Sequence, residues 1–539
     1  MAAKNIPISG DHSASPTLIE QLSAVLPRGF TFKIYHLSTP PTRTTAIYAP
    51  PPGTRPDRTY CESHFLAIAI NTPTGTNGAD SADVLVFAIE VLIYSTALST
   101  TLFVSKADST GYLHLLKLPK GASSPIRDIS YTFLRHLVRE RRRDNIRSVV
   151  SLFARAQDQY LFPGSIKNSG KHVLDDRGLV RWWCRVLTPL IEETNDSRRP
   201  TESGGAQWKA INGFLLVPGL DAYESRSFIP AQSSNSSASP SWTVGHPLRE
   251  LSTRGSDVPP RCLVPHFPDD PKARFLDELD DEISGGSTDS NSGQWRSVKS
   301  IEQFWEMMAF RQECSAGRLV GFIWVVFTPD VELPSSNSQN SVVRLESNEY
   351  KRLTSISNSQ ENESLEWSYT KPAKPRKKKK RLSGPIIPRE PRIKTENKNY
   401  LLDRPESTSY YIWRPQGRGQ VIVEESNYKR ITELLLHLEF SSLALAVTNT
   451  QRWVDEIRSS HAWADTWGQV VTGTKEIEVR DSSNTGGVNV LNLTIVKKKR
   501  KGGDEENNEG FNIATPTGTG SSPQVNVLGG STIRKKVKV

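Results

Sequence analysis

Helically spaced apolar residues alternate with strand-like runs over most of this chain, and the alternation fails over two long stretches. After residues 1–15, read as a flexible N-terminus, apolar positions predict a short helix over 18–26 and a strand starting at Thr31 in TFKIYHL. Residues 64–70 read as a buried strand. Val84, Phe87, Ala88, Val91 and Leu92 then fall at i, i+3, i+4, i+7 and i+8, one face of a helix beginning at Ala82. A strand over 101–105 runs into the polar turn Lys106-Ala107-Asp108-Ser109-Thr110-Gly111, a usual setting for backbone that touches a ligand. Helical spacing returns over 129–143 and 179–193, the latter with Trp182 and Trp183 as core and cleft-wall positions. Residues 213–219 read as a short core strand stopped by Pro218-Gly219, 301–314 as an amphipathic helix closed by Gly317, and 319–327 as an apolar strand.

Residues 331–399 are rich in Ser, Asn, Glu, Lys and Pro and poor in large apolar residues, the composition of a disordered insertion. Globular pattern resumes at Tyr410-Tyr411-Ile412-Trp413, followed by helices over 431–447, with Ser426 as N-cap, and over 450–458. Such an insertion is too long for a loop within a domain. Residues 400–472 are therefore expected to dock back onto 16–330 and complete one domain, leaving 473–539 as a disordered basic tail.

Charge and cysteine usage narrow the setting. The net charge of +10 points to an acidic partner such as nucleic acid or chromatin. Much of it lies in runs such as 374–381 and 497–501, which suit nuclear import or non-specific DNA contact and also suit a solvated linker. Cys61, Cys184, Cys262 and Cys314 show no metal or disulfide spacing, which implies a reducing compartment. Residues 83–104 are as long as a membrane span, but Glu90 and several Ser and Thr residues fit a soluble core better.

The densest chemistry lies in 267–279, where Asp269 and Asp270 sit between Pro268 and Pro271. Neighbouring carboxylates raise one another's pKa toward neutrality, as a general base for an amine requires. A lysine of pKa about 10.4 is almost wholly protonated at neutral pH, and removing that proton costs roughly 4 kcal/mol. The same residues are good helix-start chemistry, Asp as N-cap and Pro in the first turn, and spacing alone favours that reading.

Together with Lys106 to Gly111, Phe304 to Cys314 and Arg318-Leu319-Val320-Gly321-Phe322-Ile323, this segment resembles the fungal regulator-of-Ty-transposition acetyltransferases. The likeness covers roughly 16–330 and, more weakly, 410–458. It implies an α/β fold similar to the CBP-type histone acetyltransferases: a central mixed β-sheet wrapped by helices, with acetyl-CoA as co-substrate in a cleft and no metal. It also implies Asp270 as proton acceptor with Asp269 in support, Lys272 as an autoacetylated residue, and Lys106, Ala107, Asp108 and Ser109 along acetyl-CoA. A functional tryptophan is implied as well. Trp208 is the first choice and Trp242 the second, and either also suits a core; Arg181 and Arg185 suit phosphates or solvent equally.

The resemblance further implies a nuclear enzyme that acetylates histone H3, at a core lysine near the DNA entry–exit site and at tail lysines. Histones H3–H4 would be presented by an anti-silencing-type chaperone and a nucleosome-assembly-protein-type chaperone, in support of replication-coupled nucleosome assembly and genome stability. Residues 533–539 place Ile533, Val537 and Val539 among cations, a pattern suited to strand addition at a partner's sheet edge, and the anti-silencing chaperone is the partner the resemblance offers. The phosphate-loop pattern G-x-x-x-x-G-K-[ST] and the nucleophile-elbow pattern G-x-S-x-G are absent. The alternative is a non-enzymatic chromatin adaptor in which the Asp pair only caps a helix.

Overall fold

A computed structural model describes residues 16–73, 81–119, 122–193, 208–230, 242–255, 258–284, 293–311, 314, 318–330, 400–460 and 467–477. Eleven strands among them form one mixed sheet: β1 (Thr31–Ser38), β2 (Thr42–Thr44), β3 (Thr59–Pro73), β4 (Ser81–Ser95), β5 (Ser99–Ser109), β6 (Arg147–Arg155), β7 (Ala210–Leu216), β8 (Trp242–Val244), β9 (Val320–Thr328), β10 (Val421–Ile422) and β11 (Gln469–Thr472). The order is β10-β1-β3-β4-β5-β6-β9-β7-β8, with β11 also on β1 and β2 on β3. The helices are α1 (Leu18–Val25), α2 (Pro125–Glu140), α3 (Asp176–Glu192), α4 (Ala222–Arg226), α5 (Leu248–Leu251), α6 (Pro271–Ser284), α7 (Ile301–Ala309), α8 (Glu425–Leu436) and α9 (Leu443–Ser460).

Alternation along the strands divides the interior. In β9, Ile323, Val325 and Phe327 join a core shared with α1, α2, α3, α8 and α9. Val320, Phe322, Trp324 and Val326 face the other way, onto α6 and α7. Helices thus cover both faces, the expected mixed sheet wrapped by helices.

The segment from Ala82 is a strand, not a helix. β4 lies between β3 and β5, and nearly every residue from Val84 to Ser95 is buried. A strand covered on both faces is apolar at successive positions, so it satisfies helical spacing as well as its own. The β-branched Val84, Val86, Ile89, Val91 and Ile93 favour the extended form. Lys106 to Ser109 likewise remain in β5, and the turn comes at Gly111.

Further along, the helix from Ile301 stops at Ala309, and Gly317 lies outside the described residues. Ser426 lies inside α8, whose N-cap is Glu424. A break at 437–442 separates α8 from α9, hidden in the sequence because Leu438 and Phe440 are buried there and continue the apolar rhythm. The serine-rich run 233–241, residues 331–399 and everything beyond 477 lie outside the described residues. Both β10 and β11 pair with β1, so chain from either side of 331–399 shares one sheet. Among the described residues no helix is long and apolar enough to cross a membrane.

A buried polar knot ties these parts together. Arg141 grips Glu62 through two hydrogen bonds of 2.8 Å each and donates to the Gly417 carbonyl at 2.9 Å. His36 and His64 touch ring to ring at 3.0 Å, and His136 reaches the Gln416 carbonyl at 3.2 Å. Burial, with Arg141 next, lowers His136 to about 4, and burial also holds His36 and His64 below the ordinary histidine range. Since the folded state favours the neutral rings, their contribution is complete above pH 6.5 and declines as pH falls from there toward about 4. The decline is up to ~1.4 kcal/mol per pH unit for each ring that charges on unfolding. Urea unfolding of His136→Asn should show an acid limb shallower by about one proton than wild type. Superimposable limbs would remove His136 from this account.

Candidate active site

The parallel strands β5 and β6 pair only as far as Val104 and Leu152. Beyond that point β5 stays with β4 while β6 stays with β9. A cavity of about 650 Å³ opens between the diverging ends, lined by 104–109 on one side and by Leu152, Phe153 and 155–157 on the other. A crevice at the carboxyl ends of parallel strands is where open α/β sheets bind ligands. Leu113, Leu179, Trp182 and Trp183 give it an apolar wall, and Lys106, Lys117, Arg155 and Lys171 bring cations. The Arg155 Nε–H is buried with no protein partner among the described residues.

Lys106, Ala107, Asp108 and Ser109 all line this cavity, but the Asp108 carboxylate is turned toward protein. One oxygen accepts from the backbone N–H groups of Tyr160, Leu161 and Phe162 at 2.7, 2.9 and 3.2 Å. The other pairs with the Lys171 ammonium at 2.8 Å, and that ammonium also donates to Ser165 Oγ at 2.7 Å. Both charged side chains are almost fully buried. Asp108 therefore holds the 160–171 wall in place. Gly111 permits the close approach: it has a φ of 87°, and a Cβ there would lie 2.5 Å from the Lys171 backbone.

Asp269 and Asp270 precede α6, and their carboxylates diverge. Asp270 is the helix cap: its Oδ1 accepts from Lys272 N at 2.9 Å, and its carbonyl accepts from Ala273 N at 2.8 Å. Its Oδ2 is ion-paired with the Lys272 ammonium, and both side chains are at most 3% exposed. The ammonium also lies 4.6 Å from the Phe322 ring centre. Asp269, with a left-handed φ of 58°, is mostly exposed and pairs with Lys106 at 2.8 Å. The two carboxylates thus serve different lysines and do not share a site. The helix cap and the buried ion pair are one arrangement. Phe267, stacked on Phe103 with centroids 4.2 Å apart, anchors the loop, and Lys106 joins it to the cavity.

Trp208 is placed elsewhere. It packs on Phe327 at 5.5 Å with Arg142 4.4 Å above its ring, at the Phe327–Ser148 end of the sheet, opposite the Val320–Arg155 end where the cavity opens. Trp242 donates to Thr188 Oγ1 at 3.1 Å and does not line the cavity either. The cavity's tryptophans are Trp182 and Trp183. Arg181 stacks over Phe228, and Arg185 borders a separate small recess. Tyr160, Lys171 and Arg155 were missed because nothing in their local sequence marks them: Arg155 reaches the site at the end of β6, and Tyr160 and Lys171 only when 160–171 folds against Asp108.

The profile of the histone acetyltransferase KAT11-type domain matches residues 18–148 and 142–456. The chain is 40% identical to the histone acetyltransferase rtt109 of Aspergillus flavus over 96% of its own length and 98% of that protein. It is 36% identical to the Schizosaccharomyces pombe histone acetyltransferase rtt109 over 45% of its length and 57% of that protein. The crystal structure of Rtt109 from Aspergillus fumigatus superposes with a TM-score of 0.64 at 39% identity, covering 85% of this chain and 99% of that one. With a profile that continues across 331–399 and a relative aligned along almost its whole length, the chain belongs to the KAT11-type histone acetyltransferase family and is an acetyltransferase.

Proposed function

We propose that this enzyme transfers acetyl from acetyl-CoA to lysines of histone H3, with Asp270 as general base. The observation that carries the reading is the Lys106 bridge, which places the Asp269-Asp270 loop against a cavity suited to a long thioester with an anionic end. Acetyl-CoA supplies the activated acyl group; Trp182, Trp183 and Leu179 offer its apolar portion a wall, and the orphan Arg155 Nε–H together with Lys117 suits its phosphates. Burial opposes charge on Lys106, but Glu90 and Asp269 outweigh it and hold the ammonium above the ordinary lysine range. Lys106 is thus a fixed cation at the cavity wall.

Asp270 Oδ2 takes a proton from the incoming lysine ammonium, and the free amine attacks the thioester carbonyl directly; the C–S bond then breaks, and coenzyme A leaves as the thiol, taking up the second proton that the new amide nitrogen sheds. In this structure that oxygen holds Lys272, so Lys272 must move aside or lose its charge, and acetylation of Lys272 would achieve the latter. A thiol nucleophile is disfavoured. Burial raises the Cys61, Cys184 and Cys262 thiols, Cys184 to about 12, and none of them lines this cavity. Mass spectrometry of H3–H4 incubated with acetyl-CoA, with and without each chaperone, tests the proposal and reads out the lysine chosen. Absence of acetylation under every condition would overturn it.

The finer assignments rest on sequence. The runs 374–381 and 497–501 serve nuclear import. The domain is formed by 16–330 with 400–472, and residues 533–539 recruit the anti-silencing-type chaperone. Ile533→Ser/Val537→Ser, which keeps every cation, should raise the apparent KM for chaperone-bound H3–H4 with kcat nearly unchanged at saturation. Undiminished chaperone binding would leave the tail as an electrostatic tether only.

A further inference from the structure

A line of polar contacts runs from α8, beyond residues 331–399, through the Lys106 bridge to the catalytic loop. The Tyr428 hydroxyl donates to Glu90 Oε1 at 3.0 Å, with both side chains buried. Glu90 Oε2 accepts from the Lys106 ammonium at 3.2 Å, and the same ammonium donates to Asp269 Oδ2 at 2.8 Å. A register shift aligns the middle of this line: Glu90 pairs with Lys106 and Val91 with Val104, leaving Ser105 as the extra residue of a bulge. Bulges of this kind re-aim side chains beside active sites. At the far end Asp269 holds a left-handed backbone, a conformation that persists in a non-glycine residue only where its surroundings impose it.

We infer that Glu90 and Tyr428 are positioning residues of the acetyl transfer, setting the Lys106 ammonium so that it holds Asp269, and through it Asp270, in the working geometry. The segment beyond 331–399 is then part of the active-site apparatus as well as of the sheet. This rests on Asp270 acting as the base.

The test compares four variants of the full-length enzyme by kcat, by KM for acetyl-CoA and for H3–H4, and by melting temperature. Tyr428→Phe should lower kcat about tenfold and Glu90→Gln about a hundredfold, with both KM values near wild type. The double variant should be no slower than Glu90→Gln, because Tyr428 acts through Glu90. Thr450→Val removes another buried bond that docks this segment, which the Leu85 N–H donates to Thr450 Oγ1 at 3.0 Å, without touching the line. It should lower the melting temperature and leave kcat intact. A kcat that follows melting temperature across all the variants would reduce the line to ordinary docking and overturn the inference. Asp270→Asn in the same assay separates the levels. If it is inactive while Glu90→Gln and Tyr428→Phe turn over normally, only the positioning claim fails; if it is fully active, the general-base reading falls and the inference with it.

Discussion

Asp270→Asn is expected to turn over about 10²–10⁴-fold more slowly than wild type, the usual contribution of a general base. Its stability should also fall, because the substitution leaves the Lys272 ammonium buried without its counter-ion. Removing one partner of a buried pair typically costs about 3–5 kcal/mol. The helix cap itself should survive, since asparagine caps as well as aspartate. The two effects can be separated with a second substitution. Asp270→Asn/Lys272→Gln removes both charges and should recover most of the melting temperature while remaining slow. Recovery of turnover along with stability would show that Asp270 serves folding alone.

Asp108→Asn should weaken acetyl-CoA binding by about 10–100-fold, a change of roughly 1.4–2.8 kcal/mol. The side chain has no surplus acceptor. One oxygen serves three backbone N–H groups and the other serves Lys171, so an amide in either orientation turns a donor toward a donor. The 160–171 wall should loosen, and the loss should appear in KM for acetyl-CoA more than in kcat at saturation. Titration calorimetry checks this directly. Wild-type affinity in a folded Asp108→Asn protein would mean that the wall contributes nothing to binding.

Much of this enzyme could be read from short stretches of chain. The 267–279 loop, proposed to carry the base, was legible because its chemistry is contiguous: two carboxylates, a proline and a lysine lie within four residues, and the same spacing that caps α6 also buries Asp270 against Lys272. α1, α2, α3 and β9 followed from periodicity for the same local reason. β4 did not, because a strand with both faces covered loses the alternation that distinguishes it from a helix.

The cavity needed the fold. Its walls come from residues 104–119, 152–157 and 170–183, brought together only because β5 and β6 part after Val104 and Leu152. No spacing announces that Asp108 will meet the 160–162 amides and Lys171, or that Glu90 will join Tyr428 across more than three hundred residues. Trp208 shows the same limit from the other side. A tryptophan next to a core strand looks the same in sequence whichever end of the sheet it occupies, and only the pairing of β6 with β9 put it at the end away from the cavity. Local sequence determined the cap and the ion pair of the groups proposed to react, because capping and periodicity act over a few residues. Tertiary structure decided what those groups face, because strand order brings distant residues into contact.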